Sequence, residues 1–366
     1  MSLMWIHNGG KRLVFVGTVF LAATGIIAAS GEARAASQPT TVADIALYQG
    51  GDRQQILVEG AEKEGQLVFY NSYTWMETVA QMFEKKYPFL KVAVWRSESA
   101  SVIKRVTEEY TSGRFLADIV ELSDPAISIL RRKGIFQEFY SPEAAYYKDE
   151  VKVKGKLGVY YVADLEPYIG LGFNTKLIPP RDAPRSYSDL LDPKWKGKIS
   201  FAGTATGVQW IGNVLNAMGR EYIEKFSRQE IRVQNIAAAA LAGLVVSGEV
   251  PLSPTIISNN VFTLKKKGAP IEWRPLEPVV AQVGLSGMTT KAPHPHAALL
   301  FLDYVHSKEG QEAVMSGGLS SPREDMASPE QRFKKTYLGL LYTPEELEKR
   351  FGEWQELMTR LFIKKL

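Results

Sequence analysis

"GQLVFYNSYTW" (Gly65–Trp75) decides how the chain is read. A short apolar run, Leu67 to Tyr70, stops abruptly at Asn-Ser-Tyr-Thr-Trp. The residues that follow have helical spacing: Met76, Val79, Ala80, Phe83 and Tyr87, with Pro88 as the stop. A strand thus hands over to a helix through a turn crowded with hydroxyls and rings. The pattern repeats. "KVAVW" (Lys91–Trp95) is a second strand, and Val102, Ile103, Val106 and Tyr110 mark a helix within Ser101–Ser112. "ADIVEL" (Ala117–Leu122) is a third strand, and Pro125–Lys133 a third helix. This alternation implies an α/β fold with a parallel sheet and right-handed crossovers. The Asn71–Trp75 turn then lies at a strand's carboxyl end, where open α/β sheets place ligands. "RSES" (Arg96–Ser99) and "SDPA" (Ser123–Ala126) open on the same edge.

Aromatic, glycine-spaced, strand-like sequence at Gly158–Thr175 interrupts the alternation, which then restarts. "KISF" (Lys198–Phe201) leads through "AGTATGVQW" (Ala202–Trp210) into a helix. Glu221–Phe226 and Asn235–Ser247 are helical in pattern, "PLSPTII" (Pro251–Ile257) is strand-like, and a further helix starts at Ser258. A second strand-like stretch returns at Pro278–Met288. Two crossings between two αβ units predict two lobes joined by a two-crossing hinge. Lobe 1 covers 36–165 with a return segment 285–325, lobe 2 covers 166–284, and 326–366 forms a C-terminal helical segment packed on a lobe. In that tail Thr343, Pro344 and Glu346 supply an N-cap, an N1 proline and an N3 glutamate. Leu347, Phe351, Trp354, Met358 and Leu361 then form one apolar stripe. "RRKG" (Arg131–Gly134) and "KKKG" (Lys265–Gly268) read as helix ends, with cations facing the negative terminus and glycine as the left-handed cap.

The N-terminus places the protein. Lys11-Arg12 precedes an uncharged run, Leu13–Ala29, and then Ala33-Arg34-Ala35. Basic, apolar, small-residue order predicts a signal peptide, residues 1–35, cleaved after Ala35. As a helix the apolar run would reach about 26 Å, marginal for a retained membrane anchor. The chain has no cysteine. That excludes disulfides, zinc–thiolate sites, cysteine catalysis and a lipid anchor on an N-terminal cysteine. An exported protein without an anchor points to the periplasm.

Removal of the leader leaves about 331 residues, enough for two cores. The net charge of +4 falls to about +2, too mild for nucleic acid. The enzyme motifs are missing: there is no G-x-S-x-G elbow, no complete phosphate loop and no dinucleotide fingerprint. His294 and His296 flank Pro295 at a helix start, and their spacing does not make a helical zinc pair. His306 reads as a surface or dipole-compensating residue, and Glu108-Glu109 as an exposed helix face. We therefore expect no enzyme, no metal and no cofactor.

What remains is a site of rings, hydroxyls and backbone amides. Ser72, Tyr73 and Trp75 come from the first turn, although Trp75 has a competing role under the first helix. Arg96 ends the second strand and can pair with an anion, or be consumed by Glu98 or Asp124. "GTATG" (Gly203–Gly207) lies between a strand and a helix N-terminus. Thr204, Thr206 and Gly207 there suit a carboxylate or phosphate. Tyr160 or Tyr161 would add apolar contact, and Asp124 and Asn259 would hydrogen-bond the solute's uncharged end.

In order along the chain, "LVFYNSY", "FEKKYP", "ADIVEL", "GLGFNT", "LLDPKWKGKISFAGT", "KAPHPHAALLFLDYVHSKEGQ" and "GGLSSPRED" resemble the periplasmic solute-binding proteins of ABC importers. The group is extracellular solute-binding family 1, which includes ferric-iron binders. The resemblance covers most of Gln66–Asp325. It implies the type 2 periplasmic-binding-protein fold, a small-molecule solute held between two closing lobes, and an inner-membrane ABC permease as partner. We expect a monomer. Iron-binding relatives use a histidine in the first turn, a glutamate after the third strand and a tyrosine pair in the second lobe. Thr74, Ser123, Asn259 and Asn260 stand near those places, and amides and hydroxyls are poor ligands for ferric iron. A small organic anion is therefore the expected solute. A ferric-iron carrier and a ligand sensor for a membrane receptor kinase are the alternatives.

Overall fold

The computed structural model describes residues 39–123, 126–327 and 329–364. The signal peptide and its cleavage site lie outside them. Helices α1 (Val42–Leu47) and α2 (Arg53–Glu64) precede three strand–helix units: β1 (Gln66–Asn71) and α3 (Met76–Lys86), β2 (Lys91–Arg96) and α4 (Ser99–Thr111), β3 (Ile119–Ser123) and α5 (Ala126–Arg132). The helical spacing is realised physically in α3, where Met76, Val79, Ala80 and Phe83 are all buried. Met76, Val79 and Phe83 each contribute about 1.5–3 kcal/mol when fully buried. Phe83 packs edge-on to Phe301 at 5.0 Å within the first core.

The chain continues through β4 (Lys152–Lys154), β5 (Val159–Leu165) and β6 (Tyr168–Asn174). Next come β7 (Ser200–Ala202), α6 (Ala205–Ser227), β8 (Arg232–Gln234), α7 (Ala238–Ser247), β9 (Leu252–Ile257) and α8 (Ser258–Lys266). Strands β10 (Ile271–Arg274), β11 (Val279–Ala281) and β12 (Gly284–Met288) lead to α9 (Pro295–His306) and α10 (Lys308–Met315). The tail holds β13 (Lys335–Thr336), α11 (Leu338–Leu341) and α12 (Pro344–Met358).

Two main sheets result, in a type 2 periplasmic-binding arrangement. The first has the order β2-β1-β3-β12-β5-β4. β1 is parallel to β2 and β3, and β12 is antiparallel to β3 and β5. β1, β2, β3 and β5 therefore end on one edge. The second sheet has the order β10-β6-β11-β13, with β9 on β6. β9 is antiparallel to β6, with Ile257 opposite Ile169. β7 lies parallel beside β9 through Ile199 and Leu252, and β8 is parallel to β7. So β7, β8 and β9 end where β6 begins.

The chain passes from the first sheet to the second between Leu165 and Tyr168, and returns between Ala281 and Gly284. A third connection was absent from the sequence reading. After α10, Ser320 bridges to Glu166, and β13 then pairs parallel with β11. A two-residue strand has no periodicity to read. α12 begins with the Thr343–Glu346 capping box and packs on α6, where Gly212 leaves room for the Trp354 ring. Among the described residues, no helix is long and apolar enough to cross a membrane.

Candidate functional site

Topology places strand ends of both sheets beside the crossings. Strands β1, β2, β3 and β5 end where the chain crosses, and β7, β8 and β9 end beside the start of β6, on the far side of the same crossing. In the first lobe this edge carries Ser72, Tyr73, Trp75 and Arg96. In the second it carries Thr204, Thr206, Gly207 and Asn259. Asp124 lies outside the described residues.

The helices that start on these edges share a feature. Among the described residues, the N-cap residues of α3, α4, α6, α7 and α8 make no side-chain cap bond. Elsewhere Thr41, Ser307 and Thr343 cap α1, α10 and α12. The first amides of α9 are taken by carboxylates: His294 N–H donates to Asp118 at 2.7 Å and Ala297 N–H to Glu64 at 2.8 Å. α2 also lacks a side-chain cap bond. A cap contributes about 0.5–2 kcal/mol, and an uncapped N-terminus keeps amides and positive dipole available for an anion. Thr204, the N-cap of α6, is half-buried and makes no side-chain cap bond. Gly207 is buried, and a Cβ there would collide with the Ala202 carbonyl. Its smallness lets α6 start tight against β7.

The remaining expected residues are placed as follows. Tyr73 is half-buried against the first core. Trp75 donates its indole N–H to the Ala313 carbonyl at 3.0 Å and lies against Gly317, so it packs towards α10. Arg96 sits beside Asn71 in register and pairs with Glu77 of α3 at 3.3 Å, a partner the sequence reading did not weigh. Tyr160 and Tyr161 lie within β5, four residues or more before its end. The Arg131 guanidinium covers Tyr160 at 4.9 Å, and Tyr161 is buried edge-on to Phe136 at 5.6 Å. The structure does not bring either to the ligand edge. Asn259 and Asn260 are half-buried in the first turn of α8.

Two expectations need correcting. His306 is fully buried; Tyr147 packs edge-on to its ring, and desolvation lowers its pKa to about 4. Glu109 is also buried, accepting from the Tyr70 hydroxyl and from Arg105, both at 2.9 Å. Helical spacing places each residue on a face but does not say what packs over that face.

Sequence reasoning also missed a buried polar row under the first-lobe edge. Asn71, Glu121 and Ser286 are register neighbours on β1, β3 and β12. Asp164 lies on adjoining β5. All four are fully buried. Glu121 accepts from Ser72 N–H at 3.4 Å and so holds the first turn. Both side-chain polar atoms of Asn71 and the Ser72 hydroxyl lack a hydrogen-bond partner among the described residues. Burial pushes the Asp164 pKa up to about 7; burial and then the Asp164 charge push Glu121 well up. The available signal was an acid inside each of two apolar strands, "ADIVEL" and "VYYVADL". Among the described residues, no group of three or more His, Cys, Asp or Glu side chains could hold a metal ion.

Residues 116–361 match the family model of the bacterial extracellular solute-binding proteins. A putative 2-aminoethylphosphonate-binding periplasmic protein of Salmonella typhimurium is 21% identical over 247 residues, covering 64% of this chain and 70% of that one. Iron-bound HitA from Pseudomonas aeruginosa superposes with a TM-score of 0.65 at 21% identity, covering 79% of this chain and 99% of HitA. The periplasmic binding protein AfuA from Actinobacillus pleuropneumoniae, with exogenous fructose-6-phosphate bound, gives 0.63 at 23% identity, covering 80% and 98%. These likenesses agree with the two-sheet fold, and the family match across 116–361 settles the affiliation: this chain belongs to the bacterial extracellular solute-binding proteins that serve ABC transporters.

Proposed function

We propose that the protein is the periplasmic binding component of an ABC importer and captures a small organic anion, bearing a phosphate, phosphonate or carboxylate, between its two lobes for delivery to a membrane permease. The observation that carries this is the set of uncapped helix N-termini on the facing edges, against the capped termini of α1, α9, α10 and α12. An oxyanion accepts several such amides at once. One helix dipole contributes about 0.3–1 kcal/mol, or ~2 when partly buried. Micromolar binding needs about 8 kcal/mol. Several termini, the Thr204 and Thr206 hydroxyls, Ser72, Asn259 and apolar contact from Tyr73 must therefore act together. Arg96 enters as a charge already offset by Glu77. Relatives support the reading: one is named for a phosphonate, and a fold neighbour holds a sugar phosphate.

A thermal-shift screen tests it, using phosphate monoesters, phosphonates, carboxylates, polyamines and ferric citrate. We expect an oxyanion to raise the melting temperature, with at least half the shift lost in Thr206→Val. Stabilisation by polyamines alone would reverse the charge assignment. Stabilisation by ferric citrate alone, with a visible phenolate band, would make the protein an iron carrier.

A further inference from the structure

The turn after α10 touches both lobes. On one side the Trp75 ring lies against Gly317, and its Nε1 donates to Ala313 in the last turn of α10. On the other side Phe262 of α8, a second-lobe helix, lies against Gly318. A Cβ on Gly317 would enter the Trp75 ring, and one on Gly318 would enter Phe262. Gly318 also has a φ of 78°, which side chains rarely adopt. The Lys266 ammonium lies 4.5 Å over the Phe262 ring and donates to the Ser316 carbonyl at 3.4 Å. The other end of α8 is tied to the first crossing, where the Ser258 hydroxyl accepts from Tyr168 N–H at 3.2 Å. So α8 leaves the hinge and sets Phe262, one turn on, and Lys266, two turns on, along residues 316–318.

We infer that Ser316–Gly318 is a latch strip on which α8 seats when the lobes close, and that Phe262 and Lys266 retain the solute without touching it. The inference rests on the proposed capture of a solute between the lobes. Opening would lift a large aromatic ring and its covering cation off a bare glycine backbone. The two glycines are what allow a first-lobe ring and a second-lobe ring to seat on opposite sides of one turn. Trp75 belongs to the same turn as Ser72 and Tyr73, so a solute held there bears on the strip as well. The strip acts on the closed state alone, and its loss shows in the rate of release, not of capture.

Phe262 is 37% exposed, so Phe262→Ala leaves the cores intact. We expect about a tenfold rise in the dissociation constant for the oxyanion identified by the screen, carried by faster release at unchanged association rate. The chain has no cysteine, which permits a second test with Phe262→Cys and Gly318→Cys together. A Cβ built on Gly318 lies 2.6 Å from that of Phe262, so a shift of about 1 Å reaches disulfide spacing. The oxidised pair should fix the solute-free protein at the smaller radius of gyration by X-ray scattering, and reduction should release it. An oxidised protein that keeps the open radius would overturn the latch, as would unchanged release in Phe262→Ala. Failure of the solute reading looks different: no screened anion stabilises the wild type, while oxidation still closes the lobes.

Discussion

Asp164 carries a pH dependence of its own. Its carboxyl is fully buried, and desolvation raises its folded pKa to about 7 from an ordinary 3.8. Glu121 is raised as well, first by burial and then by the Asp164 charge, so the two titrate as a pair. With the folded pKa above the unfolded one, the folded state holds the proton more tightly. The associated stability is complete below about pH 4 and is lost as pH rises towards 7. Asp164→Asn should therefore be more stable than the wild type at pH 7.5, by about 2–4 kcal/mol, and equal to it near pH 4. Urea unfolding at both pH values checks this; a constant difference would mean that Asp164 is ionised at little cost. His306, with its pKa lowered to about 4, has the opposite slope, losing stability as pH falls below about 6.5. Of these groups only His306 drew attention in the sequence, and it was read as a surface or dipole-compensating residue. An acid in "ADIVEL" is legible as an oddity, but its neighbours Asn71, Ser286 and Asp164 come from strands far apart in the chain.

Elements were read better than their partners. Strand β1, helix α3 and the turn between them follow from apolar periodicity and Pro88, because local spacing alone determines which face is buried. The cations in the last turn of α8 and the glycine beyond it fall as their chemistry requires, with Gly268 at a φ of 78°. α12 was legible as a capped amphipathic helix, yet nothing in its stripe named α6 as its seat. That seat is specific, since a Cβ on Gly212 would enter the Trp354 ring. Trp354 is 4% exposed and belongs to the second core with Trp210 and Phe362. Trp354→Ala should cost about 3–5 kcal/mol by loss of transfer energy and the cavity left behind. The loss is expected in the second lobe, and urea unfolding followed by fluorescence reads it. A cost under 1 kcal/mol would mean that α12 docks weakly and that the lobe's core closes without it.

At the scale of the molecule, the two-lobe plan was legible because αβ alternation stops and restarts around Gly158–Thr175. The third connection was not, because its β13 is two residues long and its meaning depends on Glu166. That carboxylate is fully buried on the first crossing. It accepts from the Tyr168 hydroxyl at 2.5 Å, from the Tyr337 hydroxyl and from Lys335 at 2.8 Å, while its own N–H donates to Ser320 at 3.0 Å. The first and third connections are thus joined at one side chain, and Lys335 is only 14% exposed. Neutralising Glu166 leaves a nearly buried ammonium without its counter-charge, which costs about 3–5 kcal/mol for a fully buried pair and somewhat less here. Glu166→Gln should lower stability by about 2–4 kcal/mol. Lys335→Met in that background should recover most of the loss, since no buried charge then remains. The recovery separates an electrostatic clamp from simple packing: if the double variant is as unstable as the sum of the two single ones, the hinge is held by shape and Glu166 is only a spacer.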